Sequence, residues 1–94
     1  MPNHQQNILG IIGGMSWEST QSYYRLINEG VKAELGGLHS ADLLIHSVDF
    51  APIGALQAQG AWDELGNLMA SSGTRLQVAG AKGLLIATNT MHKV

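Results

Sequence analysis

The 94-residue sequence contains no cysteine. That absence excludes disulfides, thiolate metal ligands and any thiol nucleophile or base supplied from within these residues. Charge is also sparse. Charged residues make up 13%, and five Lys and Arg against seven Asp and Glu leave a formal charge of -2. With no basic run to neutralise a series of phosphates, nucleic acid is not an expected partner. Long apolar runs are missing as well: none approaches the roughly 20 residues that span a bilayer, and no membrane partner is expected. The opening MPNHQQN lacks the positive flank of a secretion signal, so the expected location is the cytoplasm. Low charge combined with 45% apolar residues suits a folded chain rather than a disordered one, and the length allows one small domain.

What is present has the rhythm of an α/β unit. Ile8 to Ile12 form a short apolar run ended by Gly13 and Gly14, the pattern of a buried strand. Trp17, Thr20, Tyr24, Ile27, Val31 and Leu35 then recur every three or four residues, which predicts one helical face stopped by Gly36-Gly37. Leu43 to Val48 predict a second strand, followed by Asp49-Phe50-Ala51-Pro52, where proline disfavours continued regular structure. Trp62, Leu65, Leu68 or Met69, Leu76 and Ala79 predict a second helix, and Gly83 to Ala87 a third buried strand with Thr88-Asn89-Thr90 as its polar exit. The order β-α-β-α-β, with right-handed crossovers, predicts a three-stranded parallel sheet whose strand exits share one edge. Two helices leave such a sheet with uncovered apolar surface and open edges. Residues 1–94 therefore read either as the first part of a longer α/β protein or as a small domain completed by self-association.

Candidate chemistry lies at the three exits. At the first, Gly13-Gly14-Met15-Ser16-Trp17-Glu18-Ser19-Thr20, glycine lets main chain approach a ligand closely, and Ser16 can cap the following helix while free N–H groups face a carboxylate. A tight turn with a helix cap explains the same residues. No Gly-Lys-Ser/Thr phosphate loop and no complete Gly-x-Gly-x-x-Gly follows, which removes the best support for nucleotide binding. At the second exit, Ser47 and Asp49 offer a hydroxyl and a carboxylate, and Asp49 equally suits a cap for the segment containing Ala51 and Pro52. His46 has the opposite parity and reads as a packing or surface residue. At the third, Thr88, Asn89 and Thr90 can hold a small carboxylate through several hydrogen bonds, or simply form a polar turn. His92 can act as an acid or base near neutral pH, but its direction is not set by the sequence. His4, His39 and His46 have no recognised ligand spacing, and no metal site is expected.

Taken together, Gly13-Gly14-Met15-Ser16-Trp17-Glu18-Ser19-Thr20, Ser47-Val48-Asp49-Phe50 and Ala87-Thr88-Asn89-Thr90-Met91-His92-Lys93 resemble the aspartate/glutamate racemase family, especially its broad-specificity amino-acid racemase branch. The resemblance extends over nearly the whole chain. It implies an isomerase without pyridoxal phosphate or any other cofactor, built from two pseudo-symmetric α/β halves with the active site between them. It further implies that one cysteine from each half removes and returns the α-proton on opposite faces of an amino acid. By the same resemblance, Met15, Ser16, Trp17, Asp49, Thr88, Asn89 and Thr90 contact the substrate, and Ala87 stands where the first catalytic cysteine belongs. Alanine can neither form a thiolate nor transfer a proton. The expectation is an N-terminal half that is inactive as given, whose partners are a small amino acid, the C-terminal half of the same protein and a second copy in a homodimer. A noncatalytic module binding a small carboxylate, favoured by Ala87, and a self-associating structural unit, favoured by the open sheet, are the competing readings.

Overall fold

A computed structural model of the chain describes residues 6–87. Three strands, β1 (Leu9–Gly13), β2 (Leu43–Ser47) and β3 (Gly83–Ile86), form one sheet in the order β2-β1-β3. Both pairings are parallel, with Ile11 opposite Ile45 and Leu85, as the β-α-β pattern requires. Helix α1 (Trp17–Leu35) connects β1 to β2. The return to β3 runs through two helices, α2 (Phe50–Gln59) and α3 (Trp62–Val78), rather than the single helix expected. Pro52 misled the sequence reading because it is the third residue of α2. A proline in the first turn removes only an N–H that has no intrahelical partner there.

The helix ends follow ordinary capping chemistry. Asp49 accepts a hydrogen bond from the Ala51 N–H at 3.2 Å and starts α2, which ends at Gly60 in the left-handed conformation. Gly36, with φ of 72°, ends α1 as expected, its N–H donating to the Lys32 carbonyl at 2.8 Å.

Because β2 and β3 lie on opposite sides of β1, right-handed crossovers place α1 on one face of the sheet and α2 with α3 on the other. Burial agrees, since Ile11 and Ile12 point to opposite faces and both are inaccessible. The core sits on the α2–α3 side, where Ile12, Met15, Ile53, Leu65, Met69 and Leu76 pack together with Ala81. Full burial of a side chain such as Leu65 contributes about 1.5–3 kcal/mol, so this cluster carries much of the fold.

The α1 side is thinner. No residue of α1 is fully buried, and Trp17 and Tyr24, expected on its inner face, are 59% and 52% exposed. The half-buried stripe is Thr20, Tyr23, Ile27, Val31 and Leu35, one residue round from the predicted stripe at its N-terminal end. In α3, likewise, Leu65, Met69, Ser72, Gly73 and Leu76 face inward, while Trp62, Leu68 and Ala79 stay exposed. Ile45 and Leu84, on the two edge strands, remain substantially exposed, so the sheet is incompletely covered, as the element pattern led one to expect.

Candidate functional site

All three described strand ends meet at one edge of the sheet. Gly13 pairs with Ser47 in register, and the ladder continues beyond the strands through Val48 N–H to the Gly13 carbonyl at 2.8 Å and Ala87 N–H to the Ile12 carbonyl at 2.9 Å. Ser47, Gly13 and Ala87 therefore form one row across the carboxyl ends of three parallel strands. In open α/β sheets this edge is where ligands bind. No helix among the described residues is long and apolar enough to cross a membrane. Among these residues no group of three or more His, Asp or Glu side chains is arranged to hold a metal ion.

The glycine pair at the first exit answers to the protein itself. A Cβ on Gly13 would meet the Thr20 side chain at 2.7–2.8 Å, and one on Gly14 would meet the Val48 main-chain nitrogen at 2.5 Å and the Ser47 hydroxyl at 2.8 Å. Gly14 also has φ of 91°, a conformation that favours glycine. The close approach expected towards a ligand is, in the structure, an approach of the β1 exit to the β2 exit and to α1. Ser16 occupies the N-cap position of α1, but its side chain makes no capping bond; its hydroxyl donates to the Ser19 hydroxyl at 3.2 Å. Thr20 does the tying instead, accepting from the Gly14 N–H at 3.0 Å while its own N–H donates to the Ser16 carbonyl at 3.1 Å. Thr20 was expected in the first-exit segment and on a helical face, but not as the tie between them, since its bond across the turn depends on how the chain folds back.

Met15 is buried in the core cluster, so it anchors the loop from beneath. Trp17 stands exposed at the rim. Asp49 is exposed at the second exit and accepts the α2 cap hydrogen bond, the alternative its position in the sequence left open. Ala87 is 0% exposed and lies beside Gly13 at the end of the row. Thr88, Asn89, Thr90 and His92 lie outside the described residues. The structure thus brings together Met15, Ser16, Trp17, Asp49 and Ala87 at one edge.

His46 packs against α3 as its parity predicts, with Nδ1 at 2.5 Å from the hydroxyl of Ser72, the buried polar residue of the core. Ser72 and its neighbour Arg75 had drawn no attention in the sequence. Both sit on α3, 26 and 29 residues from His46, and no local pattern signals a contact across that distance.

Comparisons with known proteins agree with this architecture. A family profile described as Asp/Glu/Hydantoin racemase matches residues 12–94. A crystal structure from Yersinia pestis, provisionally assigned as an Asp/Glu racemase, superposes with a TM-score of 0.92 at 55% identity over 95% of the chain. The chain spans 39% of that protein's length. With matched residues running from the middle of β1 through every described element to residue 94, the chain belongs to the Asp/Glu/hydantoin racemase family.

Proposed function

We propose that this chain is the first α/β half of a cofactor-independent amino-acid racemase, and that residues 1–94 as they stand bind an amino acid without racemising it. The observation that carries the reading is Ala87: it follows β3 in the row of strand exits, at the position where the resemblance drawn from the sequence puts a catalytic cysteine. In this reading Ser16 and Trp17 shape one rim with Met15 packed beneath it, Asp49 a second, and Thr88, Asn89 and Thr90 hold the substrate carboxylate and ammonium. The remaining polypeptide supplies the opposite wall, the second proton-transfer group and most of the side-chain selectivity. The match over 39% of a longer relative supports such a partner half.

The chemistry explains why retained binding goes with lost turnover. The α-proton of an amino acid is weakly acidic, so removing it without pyridoxal phosphate demands a placed thiolate and strong hydrogen bonding to the developing charge. Ala87 has no ionisable atom, and the Thr88 hydroxyl is far too weak an acid to substitute. Hydrogen bonds to a carboxylate need neither. Racemisation also requires groups on two faces of the substrate, and one sheet edge presents only one.

The test is proton exchange with binding measured alongside. In D2O, the purified chain is expected to leave the α-proton of aspartate and glutamate in place while either ligand shifts the amide resonances of residues 13–17 and Ala87. Measurable α-proton exchange refutes the inactivity, and unshifted strand-exit amides refute the binding site.

A further inference from the structure

One edge of the sheet is open and unguarded. Among the described residues β3 pairs with β1 on one side and with nothing on the other. From Gly83 to Ala87 it carries no charge and no proline, the features that normally keep an edge from pairing. The other edge, β2, is bracketed by Asp42 and Asp49, with Arg75 of α3 close to its end. Beside β3, on the α2–α3 face, runs a groove of about 380 Å³ with Ile12, Leu84 and Ile86 as its floor and Ala70, Gly73 and Gln77 of α3 as its wall. Leu84 is 43% exposed there.

Residues 1–94 hold no segment that can extend the sheet past this edge by a further crossover. A parallel crossover takes about a dozen residues or more, and seven follow Ala87. At the other end of the chain, the Gln6 side-chain amide donates to the Ser40 carbonyl at 2.8 Å and accepts from the Asp42 N–H at 3.1 Å. Those bonds tie the start of the chain to the β2 side, away from β3.

We infer that, in residues 1–94 by themselves, a second copy of the chain occupies this edge, with β3 pairing antiparallel to the partner's β3 about a two-fold axis. The two sheets join into one, in the order β2-β1-β3-β3-β1-β2. Antiparallel pairing follows from the symmetry, since an isologous contact sets one strand against its own copy running the other way. Opposed residues on antiparallel strands share a face, so Leu84 and Ile86 of both copies fill the joined grooves. Lys82, the nearest charge, comes to lie at both ends of the joint. The two lysines stand four or more residues apart along it, about 13 Å, beyond the screening length of about 8–10 Å. A contact of β2 with β3 of another copy would be head-to-tail and would not close. The inference does not depend on the racemase reading, which concerns the strand exits.

The test is sedimentation velocity of the purified chain from about 1 μM to about 1 mM, with amide hydrogen exchange read at β3 over the same range. The contact is short, so a monomer–dimer equilibrium is expected within that window. The outward amides of Gly83 to Ile86 are expected to gain protection as the dimer forms. Leu84→Lys sets like charges opposite or diagonally across the joint and is expected to weaken the dimer about tenfold or more. Leu84→Glu is expected to do the same, and an equimolar mixture of the two folded variants to dimerise again through opposite charges. Gly83→Lys is the second variant: a Cβ there meets only Leu9, at 3.7 Å, an ordinary contact, so the fold is kept while the edge gains a charge. A monomer throughout overturns the inference, as does growth beyond a dimer. A dimer undiminished by both Leu84→Lys and Gly83→Lys also overturns it, because the contact then lies elsewhere. Amino-acid shifts at residues 13–17 and Ala87 read the strand exits separately, and their absence with the dimer retained overturns the proposed function alone.

Discussion

Replacing Gly14 with alanine tests the claim that the β1 exit is shaped by contact with the β2 exit. The added methyl would lie within 2.5 Å of the Val48 nitrogen and 2.8 Å of the Ser47 hydroxyl, where real Cβ atoms do not go. Most of that obstruction is main chain, so relief requires the two strand ends to separate. Forcing such a group into packed structure costs about 1–3 kcal/mol. Holding an L-residue at φ of 91° adds about 1–2 kcal/mol. Reduced freedom of the unfolded chain returns about 0.4–1 kcal/mol. The net loss is centred near 3 kcal/mol, a large part of the roughly 5–14 kcal/mol expected for a domain of this size. At about 4–8 °C per kcal/mol, Tm falls by about 12–24 °C.

Thermal and urea unfolding followed by circular dichroism measure this loss directly, provided the m-value is unchanged. The control is Gly30→Ala. Gly30 lies in the middle of α1 with open space around its Cβ position and no left-handed backbone, so alanine there is expected to stabilise by about 0.5–1 kcal/mol. The same chemical change thus has opposite signs at two glycines. A Gly14→Ala variant within about 0.5 kcal/mol of the parent, the range of an ordinary surface substitution, would refute the close approach described here.

Two further predictions concern the groups beside that loop. Thr20→Val keeps the shape of the side chain but leaves the buried Gly14 N–H without its acceptor, and is expected to cost about 1–3 kcal/mol in urea unfolding, whereas Thr20→Ser, which keeps the hydroxyl, is expected to cost clearly less. Asp49→Ala removes the α2 cap and is expected to cost about 1 kcal/mol, while Asp49→Asn is expected to be nearly neutral by the same measurement.

The sequence by itself determined the class and order of most elements. Apolar runs of strand length at Leu9, Leu43 and Gly83, separated by longer stretches with helical periodicity, lead to a parallel sheet because a crossover of that length joins parallel strands. The common edge of the exits followed from the same geometry, whereas the interest of Ala87 came only from the family resemblance. Family membership was legible because the segments Gly13 to Thr20, Ser47 to Phe50 and Ala87 to Lys93 stand in order at successive exits, even though Ala87 itself departs from the family pattern. What misled was local: Pro52 reads as a breaker unless its place in the first turn is known, and a stripe drawn through Trp17 and Tyr24 differs from the true one by a single residue of rotation.

Only the tertiary structure decided which groups meet. Gly14 needs its lack of a side chain because Val48, 34 residues away, crosses it, and Thr20 acts as a hydrogen-bond acceptor because the turn folds back on α1. His46 finds Ser72 because α3 lies across the sheet beside β2. Periodicity records which side of an element is apolar, but it carries no information about which distant side chain will stand opposite. That is set when the helices dock on the sheet, and the polar contacts of the candidate site are consequences of that docking.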